Sequence, residues 1–141
     1  MVSIVVDTSV FVSGLISAAG ASREVLRRCL QNRYQSCMSL ALFSEYRALL
    51  GRHELFVECP LDAGEREELF HALMAVSQLT EIFYLWRPNL ADEGDNHVLE
   101  LAVASRAAAI VTHNRTDFVR SELKFPDIRI LAPADLLKEY P

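Results

Sequence analysis

The sequence predicts an α/β fold: one domain over residues 1–141, with a central, mainly parallel sheet of four to five strands and helices on both faces. Three observations predict it. The run Ile4-Val5-Val6 is apolar and β-branched without alternation, the pattern of a strand covered on both sides. Strand-like and helix-like segments alternate along the chain, which is the βαβ pattern of a parallel sheet. The 141 residues are 51% hydrophobic and 23% charged, enough for one core of ordinary size, and no repeat, low-complexity tract or linker divides them.

Taken in order, residues 2–6 read as the first strand and Thr8 to about Leu15 as a short helix. Gly20-Ala21-Ser22 follows, with Ser22 a candidate N-cap for a helix whose apolar face is Val25, Leu26, Cys29 and Leu30. Arg23, Arg27 and Arg28 decorate that helix, as a solvated face or as a patch facing phosphate. Residues 34–38 read as a second strand. Ser39 is placed to cap the next helix, whose apolar positions Leu42, Phe43, Tyr46, Leu49 and Leu50 follow helical spacing until Gly51 ends it. Glu45 lies close to that apolar face, which is unusual for a carboxylate. Asp62 is the expected N-cap of a helix whose early Glu65, Glu67 and Glu68 suit the helix dipole, with Arg66, Leu69, Leu73 and Val76 along one side. A third strand or extended segment is expected over residues 80–83, then a loop over 84–90. Asp92-Glu93-Gly94-Asp95-Asn96 introduces a helix from His97 to about Arg106. Residues 108–112 and 128–131 read as the fourth and fifth strands, and Pro133 suits the first turn of a last helix, 134–139.

Composition excludes several classes. No apolar stretch reaches the roughly 18 residues of a membrane span. The N-terminus lacks the basic region of a signal peptide and Asp7 breaks its apolar run, so a cytoplasmic protein is expected. Cys29, Cys37 and Cys59 are odd in number and form no CxxC pair, which favours neither a disulfide framework nor a zinc site. A net charge of −5 argues against long-range attraction to nucleic acid. Neither GxGxxG nor GxxxxGK[ST] occurs, His53, His71, His97 and His113 show no HExxH or HxH spacing, and Ser9 and Ser13 lack the partners of a serine nucleophile.

In parallel sheets, sites form outside the carboxyl ends of the strands. Asp7-Thr8-Ser9 ends the first strand, Thr112-His113-Asn114 ends the fourth, and the loop before the Asn96 helix carries Asp92, Glu93 and Asp95. Glu45 joins them from the helix after the second strand. Each acid has a simpler role open to it: Asp7 and Asp95 as helix caps, Glu45 as a surface ion-pair partner. Several carboxylates on one edge nevertheless repel one another unless a cation neutralises them, and an oxygen-rich set suits Mg²⁺ or Mn²⁺.

These stretches resemble the PIN domain family. Residues 5–13 look like its opening, residues 39–46 like its second acidic helix, residues 92–102 like its third acidic segment, and residues 110–118 like the strand and turn that carry the fourth. The ending, residues 130–137, is similar to the VapC-like subgroup of toxins in toxin–antitoxin systems. The resemblance implies a metal-dependent endoribonuclease with Mg²⁺ or Mn²⁺, in which Asp7, Glu45 and Asp95 match the acidic positions and Asp92 an additional one. The fourth acidic position holds Asn114, which can ligate through its carbonyl but brings no charge; Asp117 is a substitute if the turn points it inward. Thr8, Ser9, Thr112 and Asn114 are expected to position metal water or phosphate, and Arg23, Arg87 and Arg115 to contact the substrate backbone; Trp86 reads as a packing anchor or dimer contact, or as a base-stacking surface. An RNA substrate, a cognate antitoxin and a homodimer are the implied partners. Two other readings stay open: a PIN-like module without catalysis, which Asn114 favours, and a phosphatase with Asp7 as nucleophile, which Ser9 disfavours.

Overall fold

The computed structural model describes residues 1–82, 96–118 and 125–141. Its strands are β1 (Val2–Val6), β2 (Tyr34–Met38), β3 (Gln78–Leu79), β4 (Ala109–Val111) and β5 (Arg129–Leu131). Its α-helices are α1 (Thr8–Ile16), α2 (Ala21–Leu30), α3 (Leu40–Leu50), α4 (Ala63–Val76), α5 (Asn96–Ser105) and α6 (Pro133–Glu139), with 3₁₀ turns at His53–Phe56 and Arg115–Phe118. The expected single α/β sheet is present, and all its pairings are parallel.

Strand order is β3-β2-β1-β4-β5. β1 therefore sits between β2 and β4, and the chain winds outward in one direction before β4 and in the other after it. Right-handed crossovers then put α5 on the sheet face opposite the helices that precede β3. α5 packs on β1, β2 and β4, while α2 touches α1, α4 and α6. Ile4, Val5 and Val6 have no exposed surface, as a strand covered on both faces requires. The order also creates a switch point between the carboxyl ends of β1 and β4, the place where open parallel sheets hold ligands.

Local chemistry explains most boundaries. Asp7 is the N-cap of α1, Ser39 caps α3 by accepting from the Leu42 amide, and Asp62 with Glu65 forms a reciprocal capping box on α4. Pro133 occupies the first turn of α6. Two sequence expectations are corrected. The N-cap of α2 is Gly20, so Ser22 lies inside the helix, and its hydroxyl instead faces His113 Nε2 at 3.0 Å. The third strand is Gln78–Leu79 rather than 80–83, paired with Cys37 and Met38. Its position is set by the end of α4 at Val76 and by β2, whose Met38 carbonyl accepts from the Thr80 amide just beyond the pairing. On an edge strand these constraints outweigh the β propensity of the Ile82 region; Phe83 lies outside the described residues. The buried side of α4 is Arg66, Phe70 and Leu73. Arg66 is buried because its guanidinium lies 4.5 Å from the Phe56 ring centre and donates to the Leu61 carbonyl.

Close packing fixes α1 on two sides. Phe11, Tyr46 and Phe70 form an aromatic cluster joining α1, α3 and α4, with Phe11 stacked on Tyr46 at 4.3 Å between ring centres. Gly14 lets α2 approach α1: a Cβ there would stand 2.6 Å from Leu26 Cδ1 and 3.3 Å from the Ser22 carbonyl carbon. Leu26 is fully packed, so Gly14→Ala should lower the unfolding free energy by about 1–3 kcal/mol despite its helix propensity gain. Urea denaturation checks this, and a stabilised variant would contradict the close approach. Burial pushes the Cys29 thiol up to about 12, which keeps it a neutral core side chain.

Candidate active site at the carboxyl edge of the sheet

The switch point is built by the residues that end β1 and β4. The Asp7 amide donates to the Val111 carbonyl at 2.9 Å, so the ladder runs to the last residue of each strand before the chains diverge. At that fork the Asp7 carboxylate is only 3% exposed. One oxygen accepts from the Thr8 amide at 2.9 Å, which is the cap of α1. The other accepts from the Thr112 hydroxyl at 2.7 Å and the Ser9 hydroxyl at 3.3 Å. Thr112 is fully buried, and its hydroxyl also accepts from the Asn114 amide at 2.9 Å. Ser9 in turn accepts from the His113 amide at 3.1 Å. The turn after β4 is thus tied to Asp7 by two hydroxyls.

Glu45 arrives from α3. One of its oxygens accepts from the Thr8 hydroxyl at 3.2 Å. Thr8 therefore serves both acids, Asp7 through its amide and Glu45 through its hydroxyl. The second Glu45 oxygen accepts from His97 Nε2, on the first turn of α5. The neighbouring Tyr46 hydroxyl donates to the Val6 carbonyl, the peptide directly before Asp7, and fixes α3 against the end of β1.

The two acids are held in different electrostatic states. Burial pushes the Asp7 carboxyl above its ordinary range; the Glu45 charge adds to this, and the bonds from Thr112, Thr8 and Ser9 oppose it. Glu45, half-buried, is held below its ordinary value, first by the His97 hydrogen bond and then by the His97 charge and Thr8, against the effect of burial. Among the described residues no basic side chain pairs with Asp7. Two carboxylates drawn together, one buried with no cationic partner among the described residues, form a hard oxygen donor set of the kind that fits Mg²⁺ or Mn²⁺. They are not a complete one: among the described residues no group of three or more His, Cys, Asp or Glu side chains is placed to hold an ion.

The remaining expected residues divide as follows. Asp92, Glu93, Asp95, Trp86 and Arg87 lie outside the described residues. Asn114 and Arg115 are exposed in the turn after β4. Asp117 is half-buried, and its amide donates to the Asn114 carbonyl at 3.0 Å. Arg23 is committed elsewhere: its guanidinium donates to the carbonyls of Gly14 and Leu15 at the end of α1. That geometry uses its Nε and one of its two terminal nitrogens, Nη2.

Sequence reasoning missed His97 and the hydroxyl of Tyr46. Tyr46 was legible only as an apolar helix position, because a phenol and a phenyl follow the same periodicity. His97 showed no metal-ligand spacing to another histidine, and its partner is 52 residues away on a different helix. The usable signal was its place on the first turn of a helix that follows an acidic run. Glu100, one turn further along α5, is 5% exposed and was also missed among its apolar neighbours.

Known proteins share this architecture. The PIN domain model matches residues 3–116. Among solved structures, the chain is similar to one in the crystal structure of VapBC2 from Rickettsia felis bound to a DNA fragment from their promoter, with a TM-score of 0.59 at 10% identity over 92% of this chain and 98% of that one. At that identity the likeness speaks for the fold alone. No match is found among curated proteins. Among the described residues no helix is long and apolar enough to cross a membrane. With the family model covering most of the sequence, from β1 to the turn after β4, the chain belongs to the PIN domain family.

Proposed function

We propose that the chain is a Mg²⁺- or Mn²⁺-dependent endoribonuclease that hydrolyses RNA phosphodiesters, acting as the toxin of a toxin–antitoxin pair. The observation that carries the reading is the convergence of Asp7 and Glu45 at the switch point, one buried with no cation paired to it among the described residues. Asp7, Glu45 and Asp95 would hold the ion, with Asp92 and Asn114 as further oxygen donors. A bound ion would neutralise a nonbridging phosphate oxygen and lower the pKa of a bound water.

The chain's own groups fix the acids for that task. Thr112 and Ser9 orient Asp7, and Thr8 spans Asp7 and Glu45. Arg115, exposed beside Asn114, is the proposed contact to the RNA backbone. The net charge of −5 makes this attraction local rather than long-range. The resemblance of residues 130–137 to the toxin subgroup supports an antitoxin as partner, and a homodimer is proposed with it.

Purified protein should cleave a labelled RNA in Mn²⁺, stop when the ion is chelated with EDTA, and resume when Mn²⁺ is restored. Cleavage indifferent to chelation would overturn the reading. Mn²⁺ binding without cleavage would favour a module that binds but does not cut, the outcome to which the uncharged Asn114 points.

A further inference from the structure

We infer that His97 is a positioning residue that fixes the rotamer of Glu45 for metal binding, acting through its Nε2–H rather than by touching ion or substrate. The inference rests on the proposed metal site and names a residue that this site depends on. A carboxylate can only accept, so the 2.5 Å pair between His97 Nε2 and Glu45 Oε2 requires the imidazole to carry its proton on Nε2. Glu45 is otherwise poorly constrained. It projects from α3 between the exposed Ser44 and the buried Tyr46, with 39% of its side chain open to solvent. A glutamate so exposed samples several rotamers and loses that freedom when it ligates. Two donors remove the freedom beforehand: Thr8 on one oxygen and His97 on the other.

The placement of those donors makes the clamp specific. Thr8 is the first residue of α1, next to Asp7, and His97 is in the first turn of α5. α1 and α5 each pack against α3. Glu45 is thus held between two helices that both begin at the carboxyl edge of the sheet. In the sequence His97 follows the proposed third acid, Asp95, by two residues. An outer partner that orients a metal-binding carboxylate is worth about 10–100-fold in metal affinity.

The test is Mn²⁺ affinity by calorimetry, read without any RNA, for the wild type, His97→Ala and His97→Gln. Glutamine places an N–H donor near the position of Nε2; alanine does not. The expected result is a Kd weakened about 10–100-fold in His97→Ala and restored to within a few-fold of wild type in His97→Gln. Equal affinity in all three proteins would overturn the inference. Equal weakening in both variants would also overturn it, since the role would then be the shape of the imidazole. If His97→Ala fails to fold, His97→Leu fills the space without the donor and is read in the same way. Wild-type protein that binds no Mn²⁺ would instead remove the metal site itself, and the inference with it.

Discussion

Asp7→Asn abolishes Mn²⁺-dependent RNA cleavage while the metal-free protein stays folded, with an unfolding midpoint at neutral pH no lower than that of the wild type. The two halves of this expectation have one cause. In the wild type, a carboxylate 3% exposed is held near a second carboxylate with no cation paired to it among the described residues. That arrangement opposes folding and favours an ion. The amide removes the charge and keeps an oxygen to accept from the Thr8 amide. pH should expose the same cause. Burial raises the Asp7 pKa above its unfolded value, so the Asp7 contribution to stability is fully present below the unfolded value and lost as pH rises through the raised one. The stability difference between Asp7→Asn and wild type should therefore grow in favour of the variant over that interval. Saturating Mn²⁺ should reverse the order at neutral pH, because only the wild type gains binding energy, about 2.7 kcal/mol at a hundredfold excess over Kd. Thermal unfolding with and without Mn²⁺ measures both effects. A variant that cleaves normally, or one stabilised by Mn²⁺ as much as the wild type, would contradict the assignment of Asp7 as a ligand.

Tyr46→Ala should cost about 3–5 kcal/mol of stability, and Tyr46→Phe only about 1 kcal/mol. The ring is fully buried, stacked on Phe11 and tilted against Phe70, so its removal opens a cavity where α1, α3 and α4 meet. A loss of that size is a large share of the roughly 5–15 kcal/mol that holds a domain folded. The hydroxyl is a separate matter. Burial holds the phenol far above its ordinary pKa, so it stays a donor to the Val6 carbonyl at any working pH. Tyr46→Phe keeps the packing and deletes that bond, leaving α3 less firmly tied to the peptide before Asp7. Its RNA cleavage should fall more than its stability would suggest. Equal costs for the two variants in urea denaturation would show that the hydroxyl, not the ring, carries the contact.

Much of the fold was legible because its elements carry their own signals. Ile4-Val5-Val6 declares a strand covered on both faces, Ser39 and Asp62 declare the helix caps that the structure shows, and Pro133 lies in the first turn of the last helix, which starts one residue earlier than expected. What failed depends on tertiary placement. Gly20 has no side chain to advertise a cap, whereas Ser22 looks like one and is used elsewhere. β3 is two residues on an edge, located by its neighbours rather than by its composition. The site divides along the same line. Asp7 was legible because a carboxylate at the end of a buried strand needs compensation, and Glu45 because it lies near an apolar face. His97 was not, because its meaning depends on a distant residue reached only when α3 and α5 pack together. The bonds of Arg23 to the carbonyls closing α1 were not legible, because a cation on a helix looks alike whatever it meets.

The central claim is that Asp7 and Glu45 belong to one metal site, and the most direct measurement is anomalous diffraction from crystals soaked in Mn²⁺. The expected result is an anomalous peak at the carboxyl ends of β1 and β4, with oxygens of both Asp7 and Glu45 among its ligands and Asp95 completing the set. Crystals that take up Mn²⁺ elsewhere, or none at this edge while Asp7 keeps only its bonds to Thr8, Ser9 and Thr112, would contradict it.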